Sequence, residues 1–182
     1  MNDRTFARSK SQLNSYERCP KAFEWNYIKK VKLMSYFAAK GIACHEAIAA
    51  HFRRKAETGV DPSPVEALAV FHERVRGFFS PLSEAEGKSP VLFEGQSREK
   101  LEAEGVAQLT VYLRDLAPSI EPLMVEEAVE MTLPGGLRIK GRIDLVDTAC
   151  RIRDAKFPTD GMKAAQLHYE ADAPLYCAFY RA

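Results

Sequence analysis

The segment LRIKGRIDLVDTACRIRDAKF, residues 137–157, decides the fold, because the spacing typical of a β-strand is clearest there. One predicted face carries Leu137, Ile139, Gly141, Ile143 and Leu145, and the other carries Arg138, Lys140, Arg142 and Asp144. Such alternation predicts a strand with one buried face. A short turn near residues 148–149 then predicts a returning strand over residues 151–157.

Outward from this hairpin, residues 123–133 lose helical spacing and precede the turn Pro134-Gly135-Gly136, so they predict a third antiparallel strand. The first 120 residues have helical spacing instead. Helices are predicted from an N-cap near Ser9, from Gly41 to Gly59, from Ser63-Pro64 onward and over residues 99–116, with a long loop at 80–96. A last helix is predicted over residues 162–182.

The predicted fold is therefore α+β: N-terminal helices packed on a small antiparallel β-meander, followed by a C-terminal helix. We expect one domain over residues 1–182. Its helical part is residues 1–120, and its meander with the closing helix is residues 121–182.

Composition excludes several classes of protein. Hydrophobic residues make up 46% of the 182 residues, which excludes a disordered chain. No apolar run reaches the roughly 18 residues that a membrane span needs. The N-terminus has no apolar signal sequence, and the four cysteines lack zinc-binding spacing, so free thiols and a cytoplasmic location are expected.

Charge is distributed unevenly along the chain. Residues 1–56 carry 12 Lys and Arg against 4 Asp and Glu, whereas residues 57–130 carry 6 against 15. A basic N-terminal third is typical of a face that binds a polyanion. Segregation of charge on solvated helices is the alternative interpretation.

The chemistry-bearing residues lie on the two strands of residues 137–157. Asp154 and Lys156 are two residues apart and share a face. A three-residue turn at 148–150 would place Asp144 opposite Asp154, whereas a two-residue turn would pair Asp144 with Arg153. Two carboxylates beside an ammonium suit Mg²⁺ or Mn²⁺, which prefer oxygen ligands and activate water. The alternative is a polar sheet face with an ordinary Asp–Lys pair.

Four motifs follow one another along the chain: SQLNSYERCP at residues 11–20, GIACHEAI at 41–48, EE at 126–127 leading into GRID at 141–144, and DAK at 154–156. Together they resemble the motifs of RecB-like nucleases of the PD-(D/E)XK, or restriction-endonuclease-like, superfamily. The resemblance covers nearly the whole chain and implies a restriction-endonuclease-like core.

The resemblance also implies a set of site residues. The family's metal-binding histidine falls on His45, its two acidic ligands on Asp144 and Asp154, and its ligating backbone carbonyl on Ala155. Its catalytic lysine falls on Lys156. The implied cofactor is Mg²⁺ or Mn²⁺, and an imidazole among oxygen ligands makes Mn²⁺ more acceptable.

The chain departs from the family at its C-terminal end. The family's Q-x-x-x-Y tyrosine matches Tyr176, an expected substrate contact, but Asp172 stands where the glutamine belongs. Many relatives bind a [4Fe–4S] cluster through the Cys-Pro cysteine and three late cysteines. Here only Cys177 is late, so no cluster is expected and Cys19 is predicted to be a packed thiol. The ending at Ala182 suggests a truncated or minimal member.

DNA is the partner that the resemblance implies. Arg18, Lys10 and Arg142 are expected to contact phosphates, which positions DNA without reading its sequence. The expected activity is that of a metal-dependent deoxyribonuclease, an exonuclease of phage or bacterial recombination and repair, with a helicase or recombinase as a candidate partner. The alternative is a nuclease-derived DNA-binding or complex-assembly module, which Asp172 and the early ending favour.

Overall fold

The computed structural model describes residues 8–31 and 33–157. Its helices are α1 (Lys10–Arg18), α2 (Pro20–Phe23), α3 (Tyr36–Thr58), α4 (Pro64–Phe78), α5 (Pro81–Ala85) and α6 (Arg98–Val111). Its strands are β1 (Arg8–Ser9), β2 (Pro122–Thr132), β3 (Arg138–Asp147) and β4 (Ile152–Arg153). The predicted α+β class is confirmed. The helix predicted over residues 162–182 lies outside the described residues.

Side-chain caps set the helix starts, as the sequence predicted at two of them. Ser9 accepts the backbone N–H of Gln12, whose side chain accepts the N–H of Ser9, forming a capping box. Ser63 caps α4, where Pro64 fills the first helical position. Gly59 ends α3 with φ +67°, a conformation that glycine adopts without strain.

Three helix boundaries differ from the predictions. Helix α3 begins at Tyr36 rather than near Gly41, because Ser35 supplies an N-cap. The predicted loop at 80–96 contains α5, which Ser80 caps. Helix α6 ends at Val111 and continues as a π-helical turn, Tyr112–Leu116. Among the described helices, none is both long enough and apolar enough to cross a membrane.

The sheet is mixed rather than purely antiparallel. Strands β2 and β3 form the predicted hairpin, in the register Val125↔Leu145 and Glu127↔Ile143. Strand β4 pairs antiparallel with the end of β3, while β1 pairs parallel with its beginning. Two residues of β1 are too few to show strand periodicity, so the sequence did not predict it. Of the strand predicted over 151–157, only Ile152–Arg153 makes ladder pairs.

The turn between β3 and β4 spans three residues, 148–150. Leu145 pairs with Arg153, so the same register places Asp144 opposite Asp154. Asp147, only 1% exposed, accepts the backbone N–H and Nε of Arg151, each at 2.9 Å, and two guanidinium N–H groups of Arg153. These bonds lower the pKa of Asp147 to about 2 although burial opposes the charge.

The predicted alternation along β3 changes phase before its end. Ile139 and Ile143 pack in one apolar cluster with Val146, whereas Leu145 joins the separate core formed by the helices. The prediction that Leu145 shares a face with Ile143 was therefore wrong. The change lies opposite Glu126, whose φ of +54° is left-handed and interrupts the regular pleat.

Helix α3 is the central support of the helical layer. Its buried face carries the small residues Ala39, Ala43 and Ala47, each 0% exposed, which let neighbouring elements approach closely. Two buried lysines fix its position. Nζ of Lys40 lies 3.0 Å from Glu104 on α6, and Nζ of Lys55 donates to backbone carbonyls just before β2. Helix α3 is thus held against the sheet by charge-assisted bonds.

The packing of α6 against α4 gives a test of the fold. A methyl group at Gly105 would overlap the ring of Phe71, which is fully buried, whereas a methyl group at Gly77 would meet no atom within 4 Å. Gly105→Ala should lower the free energy of unfolding by about 1–2 kcal/mol, because overpacking outweighs the helical preference for alanine.

Gly77→Ala is the matched control and should raise that free energy by about 0.5–1 kcal/mol. Urea denaturation of both variants checks the pair. Stabilisation by Gly105→Ala would contradict the described α4–α6 contact.

Candidate metal centre

His45 lies on the face of α3 that looks toward the sheet. Its Nδ1 lies 3.3 Å from Oδ2 of Asp144, and its side chain is 29% exposed. The ring of Phe157 packs edge-on against the imidazole, with ring centroids 5.7 Å apart. The imidazole is thus held between a carboxylate and an aromatic ring at the border of the core.

Asp144 and Asp154 come together across the β3–β4 hairpin. The three-residue turn places them opposite each other, and the two carboxyl groups are within hydrogen-bonding range. Oδ2 of Asp154 lies 2.7 Å from Nζ of Lys156. Its other oxygen, Oδ1, is buried and has no hydrogen-bond partner among the described residues. That oxygen is available to a ligand.

Glu126 is the site residue that the sequence analysis missed as a ligand. Its carboxylate, the imidazole of His45 and the carboxylate of Asp144 each offer one ligand atom, and these atoms lie within 4.8 Å of one another. The hairpin register, counted outward from Gly135, could have shown that Glu126 faces Asp144. Its left-handed backbone has no sequence signal, because glutamate rarely adopts it.

The ionisable groups of the site perturb one another. Burial disfavours charge on His45, but Asp144 outweighs burial and raises the pKa of His45 above 6.5. The same contact lowers the pKa of Asp144 against the effect of burial. Burial raises the pKa of Asp154, with Lys156 opposing and Asp144 reinforcing the rise. Carboxylates crowded in this way favour a bound cation.

The donor set suits a divalent cation. Carboxylate oxygens and one imidazole nitrogen fit Mn²⁺, and Mg²⁺ accepts the oxygens. His45, Glu126 and Asp144 could hold the ion, and the unpartnered oxygen of Asp154 could complete its coordination. Ala155 packs half-buried against the helical core beside them.

The candidate ligands line a cleft of about 690 Å³. Helix α3 forms one wall, and the sheet forms the other with Arg142, Asp144, Asp154 and Lys156. Nη1 of Arg142 lies 3.3 Å from Oε2 of Glu126, and its side chain is 68% exposed. A phosphate entering the cleft would therefore meet both a cation site and basic side chains.

The other predicted substrate contacts lie elsewhere or are not described. Arg18 is exposed at the end of α1 and does not line this cleft. Nothing is described of the Lys10 side chain, and Tyr176 with Asp172 lies outside the described residues. Cys19 is exposed and its sulfur caps α2 by accepting the N–H of Ala22, so the prediction of a packed thiol was wrong.

Mn²⁺ titration tests the donor set. Mn²⁺ should raise the melting temperature of the wild-type chain, because an ion that binds only the folded state stabilises it. Asp144→Asn, Glu126→Gln and His45→Gln should each weaken Mn²⁺ binding at least about tenfold, measured by calorimetry.

Glu46→Gln is the matched control, since Glu46 lines the same cleft but pairs with Arg74 at 3.1 Å. Its affinity for Mn²⁺ should stay within about twofold of wild type. Equal affinity of the Glu126→Gln variant and wild type would remove Glu126 from the ligand set.

The pH dependence of Mn²⁺ binding gives a second test. A ligating imidazole must be neutral, and the pKa of His45 is raised above 6.5. Mn²⁺ affinity should therefore fall as pH falls through that raised pKa, by up to about tenfold per pH unit, with one proton released per ion bound. Calorimetry between pH 8 and pH 5.5 measures it. An affinity that stays constant from pH 8 to pH 6 would exclude His45 as a ligand.

Comparison with known proteins supplies the family. The model of the PD-(D/E)XK nuclease superfamily matches residues 7–182, nearly the whole chain. No curated protein matches the chain, and no solved structure does. The mixed α+β architecture with its small sheet is consistent with the restriction-endonuclease-like fold of that superfamily. The chain therefore belongs to the PD-(D/E)XK nuclease superfamily.

Proposed function

We propose that the chain is a divalent-metal-dependent nuclease that hydrolyses phosphodiester bonds in DNA. The observation that carries the proposal is the convergence of an imidazole, three carboxylates and a lysine ammonium on one cleft. Membership of the superfamily supports nuclease activity. We further propose that residues 1–182 act as one nuclease domain.

The metal-holding groups are His45, Glu126 and Asp144, with Asp154 and the backbone carbonyl of Ala155 completing the set. Mg²⁺ or Mn²⁺ bound there would polarise the phosphate and lower the pKa of a water molecule. The side chains come from α3, β2, β3 and the segment after β4, so the fold assembles the site from four places. Its geometry depends on tertiary packing rather than on one loop.

Lys156 is proposed as the catalytic lysine. Its ammonium lies 2.7 Å from Oδ2 of Asp154, so the carboxylate holds the cation at the cleft. From that position Nζ can donate to a phosphate oxygen and stabilise the negative charge that develops during hydrolysis. It can also orient the attacking water.

Sequence-independent action on DNA ends is the substrate assignment that the proposal favours. Arg142 at the cleft suits phosphate contact, which carries no sequence information. Tyr176, Arg18 and Lys10 stay predicted substrate contacts. An exonuclease role in recombination or repair, beside a helicase or recombinase, rests on the RecB-like motifs. The free described cysteines support a cytoplasmic setting.

End-labelled single-stranded and duplex DNA, incubated with Mn²⁺, Mg²⁺ or EDTA, tests the activity. Cleavage should require the metal, and Lys156→Ala should lower kcat by at least about 100-fold while leaving the Mn²⁺-induced rise in melting temperature intact. Lys88→Ala is the matched control, because Lys88 is exposed and pairs with Glu86 at 2.6 Å.

Three outcomes would contradict the proposal. Cleavage in EDTA, or equal cleavage by wild type and Lys156→Ala, would indicate another mechanism or a contaminant. A wild-type chain that binds DNA without cutting it would instead support the DNA-binding or complex-assembly module.

A further inference from the structure

Arg53 is the cation of the cleft that no role described above uses. It lies on α3, is exposed, and lines the same cleft as His45 and Asp144. Two further cations lining the cleft are already engaged: Lys156 by Asp154, and Arg142 by Glu126. Within the described part of the chain, Arg53 has no ion pair.

The path from the metal centre to Arg53 runs along one face of α3. His45, Ala49 and Arg53 are spaced four residues apart, and residues at that spacing lie on one face of a helix. Eight residues correspond to about 12 Å along the helix axis. Ala49 and Ala50 line the cleft between the two ends, so small side chains leave room for a strand backbone.

The negative charge on this wall is neutralised. Glu46 is the acidic residue of α3 that lines the cleft, and it pairs with Nε of Arg74 at 3.1 Å. The guanidinium of Arg53 therefore faces the cleft beside a compensated carboxylate. Its five N–H donors match the oxygens of a phosphate.

We propose that Arg53 is a phosphate-positioning residue that contacts the DNA backbone about three nucleotides from the phosphate that is cut. The distance follows from about 12 Å along α3 and about 3.4 Å per nucleotide along one strand. The inference rests on the proposed nuclease function, which it deepens. A phosphate bound at Arg53 fixes the register of the strand over the metal centre.

Binding measured in a Lys156→Ala background separates this inference from catalysis, because the DNA stays intact. The probe is a fluorescein-labelled 20-nucleotide single strand, followed by anisotropy with Mn²⁺ present. Adding Arg53→Gln should weaken binding about five- to tenfold at 0.1 M salt. It should also reduce the slope of log Kd against log salt by about 0.7 to 0.9, as expected for one lost phosphate contact.

Arg54→Gln is the matched control in the same background. Arg54 has the same charge and neighbours Arg53 on α3, but it pairs with Glu57 at 4.0 Å and does not line the cleft. Its DNA affinity and salt slope should equal those of the parent. Melting temperature and Mn²⁺ affinity should be the same in all three proteins, which excludes a merely structural effect.

Substrate length locates the contact. With an otherwise wild-type chain, Arg53→Gln should raise KM on long strands about five- to tenfold and change kcat less than twofold. On oligonucleotides too short to span three nucleotides beyond the cut, the two proteins should have equal KM.

The outcomes distinguish the two proposals. Equal binding by the parent and the Arg53→Gln variant would overturn the role of Arg53 and leave the nuclease proposal intact. A specific loss of binding in a chain that never cleaves DNA would support the Arg53 contact and overturn the enzyme. Absence of DNA binding by the parent would overturn both.

Discussion

The metal centre depends on the register of one hairpin, and the buried carboxylate of Asp147 holds that register. Its oxygens accept hydrogen bonds from Arg151 and Arg153, while its backbone N–H donates to the carbonyl of Arg151. Cys150 closes the turn with a left-handed φ of +59°. One residue fewer in this turn would send Asp154 and Lys156 to the other face of the sheet. A charged structural residue outside the cleft thus positions the residues proposed to be catalytic.

The site is assembled against the preferences of its own parts. Carboxylates that repel one another are gathered at the edge of the core, and each is neutralised by a different cation: Asp144 by His45, Asp154 by Lys156 and Glu126 by Arg142. Each partner is also a group with a proposed role toward metal or phosphate. The same charges that will bind ligands therefore stabilise the protein without them, and ligand binding exchanges partners rather than burying new charge.

Much of this was predictable from short-range patterns. The strand alternation, the turn at Pro134-Gly135-Gly136 and the caps at Ser9 and Ser63 are local signals, and the structure has all of them. The pairing of Asp144 with Asp154 was predictable only as one of two registers, because turn length depends on the Asp147 bonds. The approach of His45 to Asp144 came from family resemblance, since nothing local connects residues about a hundred positions apart. Strand β1 and the phase change at Leu145 depend on tertiary packing, which no local pattern encodes.

The left-handed backbone of Glu126 links the centre to the evolution of the chain. A glutamate in that conformation costs of order 1–3 kcal/mol, which the surrounding fold must supply. Glycine or asparagine would adopt the same φ more easily, but neither offers a carboxylate. Selection for heat resistance alone would therefore drift toward those residues at position 126, and the glutamate persists only where selection also acts on ligand binding. The residue at this position in natural variants would record whether a lineage still uses its cleft.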